Sequence, residues 1–199
     1  MGDEIKRLFQ ELPDNDFSSV RLEKALERVK GNDDFRRKNY AKYTVILCGD
    51  HNGNEINSEF LSELKRKLRA GHGITCYIGK DFIDKAKGSR QLEIQKAYLG
   101  DADIIIFIDG KSPGTLNESN DIREHKSLNS KTIAFFRYST FKELIEKPDR
   151  QDYISEFKYP IPYREKEELD AKIIFGVKHM ILYLLNKELN TQKKDNERI

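Results

Sequence analysis

Short apolar runs alternate with helical stripes along the chain from residue 43 onward. The runs are "YTVILCG" (43–49), "ITCYIG" (74–79), "ADIIIFID" (102–109) and "KTIAFFR" (131–137). Each is rich in β-branched and aromatic residues, continuous rather than alternating, as expected of strands covered on both faces. Between them, "INSEFLSELKRKLRAG" sets Phe60, Leu61, Leu64 and Leu68 on one helical stripe, with Gly71 as the stop. "RQLEIQKAYLGD" is a second helix, with Leu92, Ile94 and Ala97 to Leu99 inward, and "STFKELIEK" is a short one ended by Pro148. "FKYPIPY" reads as a weak last strand; its two prolines confine it to a sheet edge. A long closing helix begins near Glu165, and residues 191–199 are expected to fray.

Alternating strands and helices predict an α/β fold: a three-layer sandwich around a parallel, Rossmann/flavodoxin-like sheet of four or five strands. The runs 43–48, 74–78, 103–108 and 131–136 should be neighbouring parallel strands in the order 2-1-3-4-5. Residues 1–40 differ, carrying two short amphipathic helices at 3–12 and 18–30 before a body at 41–190. Those helices, with residues 166–190, hold more apolar surface than a small sheet needs, which predicts a homodimer.

Composition narrows the function classes. Lys and Arg number 36 against 34 Asp and Glu, a net charge of +2, so the charge balance gives no reason to expect a nucleic-acid partner. No apolar run approaches the ~18 residues of a membrane helix. The N-terminus is charged from its third residue, unlike a signal peptide, and a cytoplasmic protein is expected. Cys48 and Cys76 both lie inside apolar runs and read as small buried residues. The four histidines show no metal-ligand spacing; no metal or cofactor is expected, and His51 reads as a solvated loop residue.

In an open parallel sheet, ligands bind beyond the carboxyl ends of the strands where strand order reverses. Here that point lies between the first and third strands. The loops that follow them, "GDHNGNE" (49–55) and "DGKSPGTLNE" (109–118), are also the most glycine-rich. Gly49, Gly53, Gly110 and Gly114 permit close backbone approach, and Ser112 and Thr115 add hydroxyls. The helix that follows offers free N–H groups to a phosphate. Asp50, Asp109 and Glu118 are the carboxylates that would meet a ribose. Structural roles compete for the same residues: Thr115-Leu-Asn-Glu118 has capping-box spacing, and Ser112-Pro113 reads as a cap followed by a first-turn proline.

Ser112-Pro-Gly114-Thr-Leu-Asn-Glu118 resembles the S-x-G-x-x-x-E motif of the nucleoside 2-deoxyribosyltransferase-like family and its nucleotide N-hydrolase members. Gly114-Thr115-Leu-Asn-Glu118 is similar to the G-T-x-x-E of the LOG phosphoribohydrolases, within the SLOG superfamily; a more distant likeness, of topology alone, is to TIR domains. The chain departs from these patterns by continuing Glu118-Ser119-Asn120 in place of E-L-G, and by Lys111-Ser112 between its glycines. The resemblance implies a nucleotide or nucleoside ligand whose phosphate is held by Ser112, and Glu118 at the anomeric carbon. Asp109 or Asp50 would then be the second acid group. It also implies either cleavage or exchange of an N-glycosidic bond, NAD included, or nucleotide sensing without turnover. The two loops are expected to face each other across one pocket, with Glu118 directed into it.

Overall fold

The computed structural model describes residues 37–83, 91–146 and 151–196, with Gly31 and Asp34. The two amphipathic helices expected at 3–12 and 18–30 lie outside the described residues. In chain order the elements of the body are β1 (Thr44–Cys48), α1 (Ser58–Arg66), a π-helical turn (Lys67–Gly71), β2 (Thr75–Ile78) and α2 (Lys80–Ile83). They continue with α3 (Gln91–Asp101), β3 (Ile104–Ile108), α4 (Pro113–Glu124), α5 (Lys126–Asn129) and β4 (Thr132–Arg137). Last come α6 (Tyr138–Glu146), α7 (Gln151–Ser155), β5 (Pro160–Tyr163) and α8 (Lys166–Asn196).

The five strands form one sheet in the order β2-β1-β3-β4-β5. Every neighbouring pair is parallel, with Val45 opposite both Cys76 and Ile104. β5 is the edge strand, as its prolines require: Pro160 and Pro162 have no N–H to give to a further neighbour.

Side chains alternate across the sheet, so the continuous apolar runs feed two separate cores. On one face Leu47, Ile106 and Phe135 pack against Leu61 and Leu64 of α1 and against Leu169, Ile173, Val177 and Ile181 of α8. On the other face Ile46, Phe107 and Phe136 pack against Leu99 of α3, Ile122 of α4 and Ile154 of α7. Helices on both faces make the three layers of a doubly wound α/β sandwich. Cys48 and Cys76 are buried free thiols within these cores.

Local signals explain most boundaries. Asn57 caps α1, its Oδ1 accepting the Phe60 N–H at 3.0 Å. The π-helical turn then carries buried Leu68 inward, and Gly73, at φ 69°, supplies the left-handed residue that turns the chain into β2. α8 continues to Asn196, because no glycine or proline follows Gly176 to stop it. At 31 residues it is roughly 46 Å long and outruns the strands. It leaves Phe175, Leu182, Tyr183 and Leu189 exposed. Among the described residues no helix is long and apolar enough to cross a membrane.

Candidate functional site

The switch point falls between β1 and β3, and the residues singled out in the sequence gather at the carboxyl ends of these strands. Helix α4 starts earlier than the T-x-x-E spacing implies. Ser112 is its cap, with Oγ accepting the Thr115 N–H at 3.3 Å, and Pro113 occupies the first turn. The capping-box alternative is therefore set aside. Thr115 and Glu118 lie inside the helix, and the Glu118 carboxyl is bonded elsewhere.

The two glycine-rich loops touch. A Cβ added at Gly110 would lie 2.8 Å from Asp50 Cβ, so only glycine permits this approach. Gly53 is similarly tied to its own loop: a Cβ there would lie 2.4 Å from the Ile56 carbonyl oxygen. Asp50 Oδ1 accepts the Asn52 N–H at 3.0 Å, and Asn52 bridges to Asn57, closing the loop. Gly49 is buried against Ile108. Thr115 is buried too, its hydroxyl 2.9 Å from Ser112 Oγ. Gly114 is exposed, with open space where its side chain would be, and Ser112 is half-buried.

Asp109 ends β3 and its carboxylate is engaged. Tyr153 of α7 donates to Oδ1 at 3.1 Å, and the Gly110 N–H bonds to it as well. Tyr153 is in turn 3.0 Å from Ser119 Oγ, with the Arg123 guanidinium over its ring at 4.8 Å. Burial raises the Asp109 pKa in spite of these donors.

Glu118 faces away from this group, toward the β1–β2 side. It is 6% exposed. The Tyr98 hydroxyl of α3 donates to Oε1 at 3.2 Å, while Oε2 is buried without a hydrogen-bond partner. The buried Cys48 thiol lies beside the carboxyl. Burial is the main cause that pushes Glu118 up to about 8, and nearby Asp121 adds to it. At neutral pH the carboxyl therefore holds its proton. Burial and the Glu118 charge in turn hold the Cys48 thiol and Tyr98 hydroxyl well above their ordinary ranges.

Gly79, the residue after β2, borders this carboxyl. A Cβ at Gly79 would lie 3.4 Å from Glu118 Oε1, 3.4 Å from the Tyr98 hydroxyl and 3.8 Å from His51 Nε2. Four segments distant in sequence thus converge on one small space. Phe82 of α2 stacks on Tyr98 at 4.7 Å and holds its ring.

Sequence reasoning placed Glu118 at the switch point but missed Gly79, Tyr98, His51 and Tyr153. Gly79 carried a usable signal, since it ends its strand run as Gly49 ends the first. Tyr98 lay within a stretch expected to face inward, but the role of its hydroxyl depends on what α4 places opposite.

Among the described residues no cluster of His, Cys, Asp and Glu could hold a metal ion. A wide apolar groove of ≈ 710 Å³ lies elsewhere, between α8 and the β4–β5 edge, lined by Ile133, Ile161, Phe175 and Met180. It has none of the polar groups just described.

The parallel sheet, its strand order and its covered faces define a doubly wound α/β protein of flavodoxin-like topology. No protein-family model matches the chain, and no curated protein matches it in sequence. Among solved structures it is similar to one described as a conserved protein from Enterococcus faecalis V583. The two chains are 10% identical with a TM-score of 0.44, over 66% of this chain and 96% of that one.

Proposed function

We propose that this protein is a hydrolase or transferase acting on the N-glycosidic bond of a nucleoside, a nucleotide or NAD, with Glu118 at the ribose. The observation that carries the reading is the buried Oε2 of Glu118, left without a partner at the switch-point edge of the sheet. A buried polar atom without a partner costs about 1–3 kcal/mol, so a native structure that retains one has a use for it. A ribose hydroxyl or an electron-poor anomeric carbon supplies that use. Breaking a ribose–base bond passes through an oxocarbenium-like state, and a carboxylate beside it stabilises the charge or bonds to it. Tyr98 holds the carboxyl in place, and the half-exposed Ser112 with Gly114 at the α4 start suits a phosphate.

The test is to incubate the purified full chain with NAD, nucleoside monophosphates, nucleosides and deoxynucleosides, and to measure free base and sugar product. Release of base is the expected result. Binding across the panel with no base released identifies a nucleotide sensor of the same fold instead.

Gly79→Ala places a methyl group between Glu118, Tyr98 and His51. The new contacts, at 3.4–3.8 Å, are ordinary van der Waals distances, so the fold tolerates them. The expected outcome is a melting temperature close to the parent's, with turnover reduced at least ~10-fold because the methyl group occupies the space beside the Glu118 carboxyl.

We also propose self-association through α8, since exposed Phe175, Leu182 and Leu189 recur every seven residues along it, the spacing of helix–helix packing. Light scattering at micromolar concentration is expected to give twice the chain mass; a monomer mass excludes it.

A further inference from the structure

We propose that two copies of this chain pair through α8 as antiparallel helices, related by a two-fold axis at Leu182. The partner is thus a second copy, and each α8 lies along the exposed face of the other. This pairing rests on the self-association proposed above and fixes its direction and register.

The outward face of a surface helix is ordinarily polar and charged. On α8, positions 171, 175, 179, 182, 183, 186, 189 and 190 are exposed, and none is Lys, Arg, Asp or Glu, in a chain of which 35% is charged. Instead this stripe carries Phe175, Leu182, Tyr183 and Leu189, with Phe175 70% exposed. A contiguous exposed apolar strip of this kind marks an interaction surface. Lys187 and Glu188 flank it, and the Tyr43 hydroxyl ties Glu188 to the body, donating to Oε1 at 3.0 Å.

The spacing selects the register. Phe175, Leu182 and Leu189 stand seven residues apart, so the stripe is symmetric about Leu182. Reversed against its copy at that point, the helix sets Leu182 against Leu182 and Phe175 against Leu189. Each patch then meets itself, the isologous contact of a two-fold dimer. Phe175 and Tyr183 also line the ≈ 710 Å³ groove between α8 and the β4–β5 edge, so a helix laid along the stripe covers part of that apolar surface as well.

Charge selects the direction. At the start of α8, "EKEELD" (165–170) holds four acids and one lysine; toward its end, "KELNTQKK" (187–194) holds three lysines and one glutamate. Antiparallel pairing about Leu182 brings the basic segment of one copy opposite residues 170–177 of the other. Lys193 and Lys194 then fall one turn from the exposed Glu167. Parallel pairing sets the two acidic ends side by side, and the two basic ends likewise. Like charges across an interface are costly and opposite ones fix register, so this helix is complementary to itself only when reversed.

Single cysteines on the stripe test the pairing, since the native Cys48 and Cys76 are buried. Full-length Leu182→Cys, Phe175→Cys and Leu189→Cys are each treated with a short bis-maleimide, and the products are weighed by mass spectrometry. Leu182→Cys is expected to give a covalent dimer by itself. Phe175→Cys and Leu189→Cys are each expected to give none alone, because antiparallel pairing holds two copies of either position roughly 21 Å apart along the helices. Mixed and allowed to exchange subunits, these two are expected to cross-link to each other. Covalent dimers of Phe175→Cys alone and of Leu189→Cys alone mean parallel pairing, which overturns the proposal while self-association through α8 stands. A dimer mass by light scattering with no cross-link at any of the three positions places the interface elsewhere and overturns both. A monomer mass for wild type also overturns both. Leu182→Glu sets two like charges against each other on the axis, at an exposed position that leaves the fold intact. Its dimer dissociation constant is expected to rise at least ~100-fold. An unchanged constant overturns the placement of Leu182 on the axis.

Discussion

Glu118→Gln is expected to lower turnover by at least ~100-fold on any substrate the protein cleaves, because charge stabilisation of the transition state is lost. The substitution preserves size and the hydrogen bond from Tyr98, so a loss of this size cannot come from misplacement of neighbours. The wild-type profile carries the complementary signature. Burial raises the carboxyl to about 8, so its ionised fraction is small at neutral pH. As the ionised form is the reactive one, kcat/KM should rise with pH through this region. Full turnover in Glu118→Gln, on a verified substrate, would refute the mechanism.

The second large effect is on stability and has a definite sign. The Glu118 carboxyl titrates near its ordinary 4.5 in the unfolded chain and near 8 in the folded one. Between these values the folded state binds more protons, so stability falls as pH rises. The contribution is fully present below pH 4.5 and is lost once pH passes about 8. At ~1.4 kcal/mol per pKa unit, the loss is on the order of 5 kcal/mol, a large share of the stability of a domain this size. Tyr98, Cys48 and His51 surround the carboxyl, and Asp121 adds a negative charge that reinforces the shift. Asp109, also raised by burial, acts in the same direction. Glu118→Gln removes the largest part of this dependence. Urea denaturation at pH 5 and pH 9 should show a steep loss for wild type and a much flatter profile for the variant. The variant should be the more stable protein at pH 9. Parallel profiles would place the carboxyl in water and contradict its burial.

The two predictions together separate function from folding. A residue retained for packing alone gives a variant weaker in stability and indifferent in catalysis. Glu118 is expected to do the opposite at alkaline pH, as befits a group held in an unfavourable state for use.

The sequence by itself determined the architecture. Continuous β-branched runs such as "DIIIFI" have no polar face, so they can only be strands covered on both sides, and the helical stripe from Phe60 to Leu68 supplies one cover. Strand order followed from short crossovers between parallel strands, and the switch point followed from strand order. Glu118, ten residues beyond the end of β3, could be placed there from local spacing alone. What surrounds Glu118 was decided only by tertiary structure. Ser112 won the helix cap over Thr115 because Pro113 begins the first turn, and that shifted Glu118 from a helix start to an interior position facing the sheet. Its partners come from other segments: Cys48 ends β1, Gly79 follows β2 and Tyr98 lies on α3. Lone residues carry no periodic or turn signal, so nothing in the chain marks them as neighbours. Gly110 and Asp50 read as a phosphate loop and an acid, yet they serve first to let two loops touch. His51 read as a solvated loop residue, because the Ser58 contact that orients its ring forms only when the loop closes onto α1. Local chemistry writes the elements, but the buried state of Glu118, and with it any catalytic capacity, exists only where the ends of β1 and β2 meet α3.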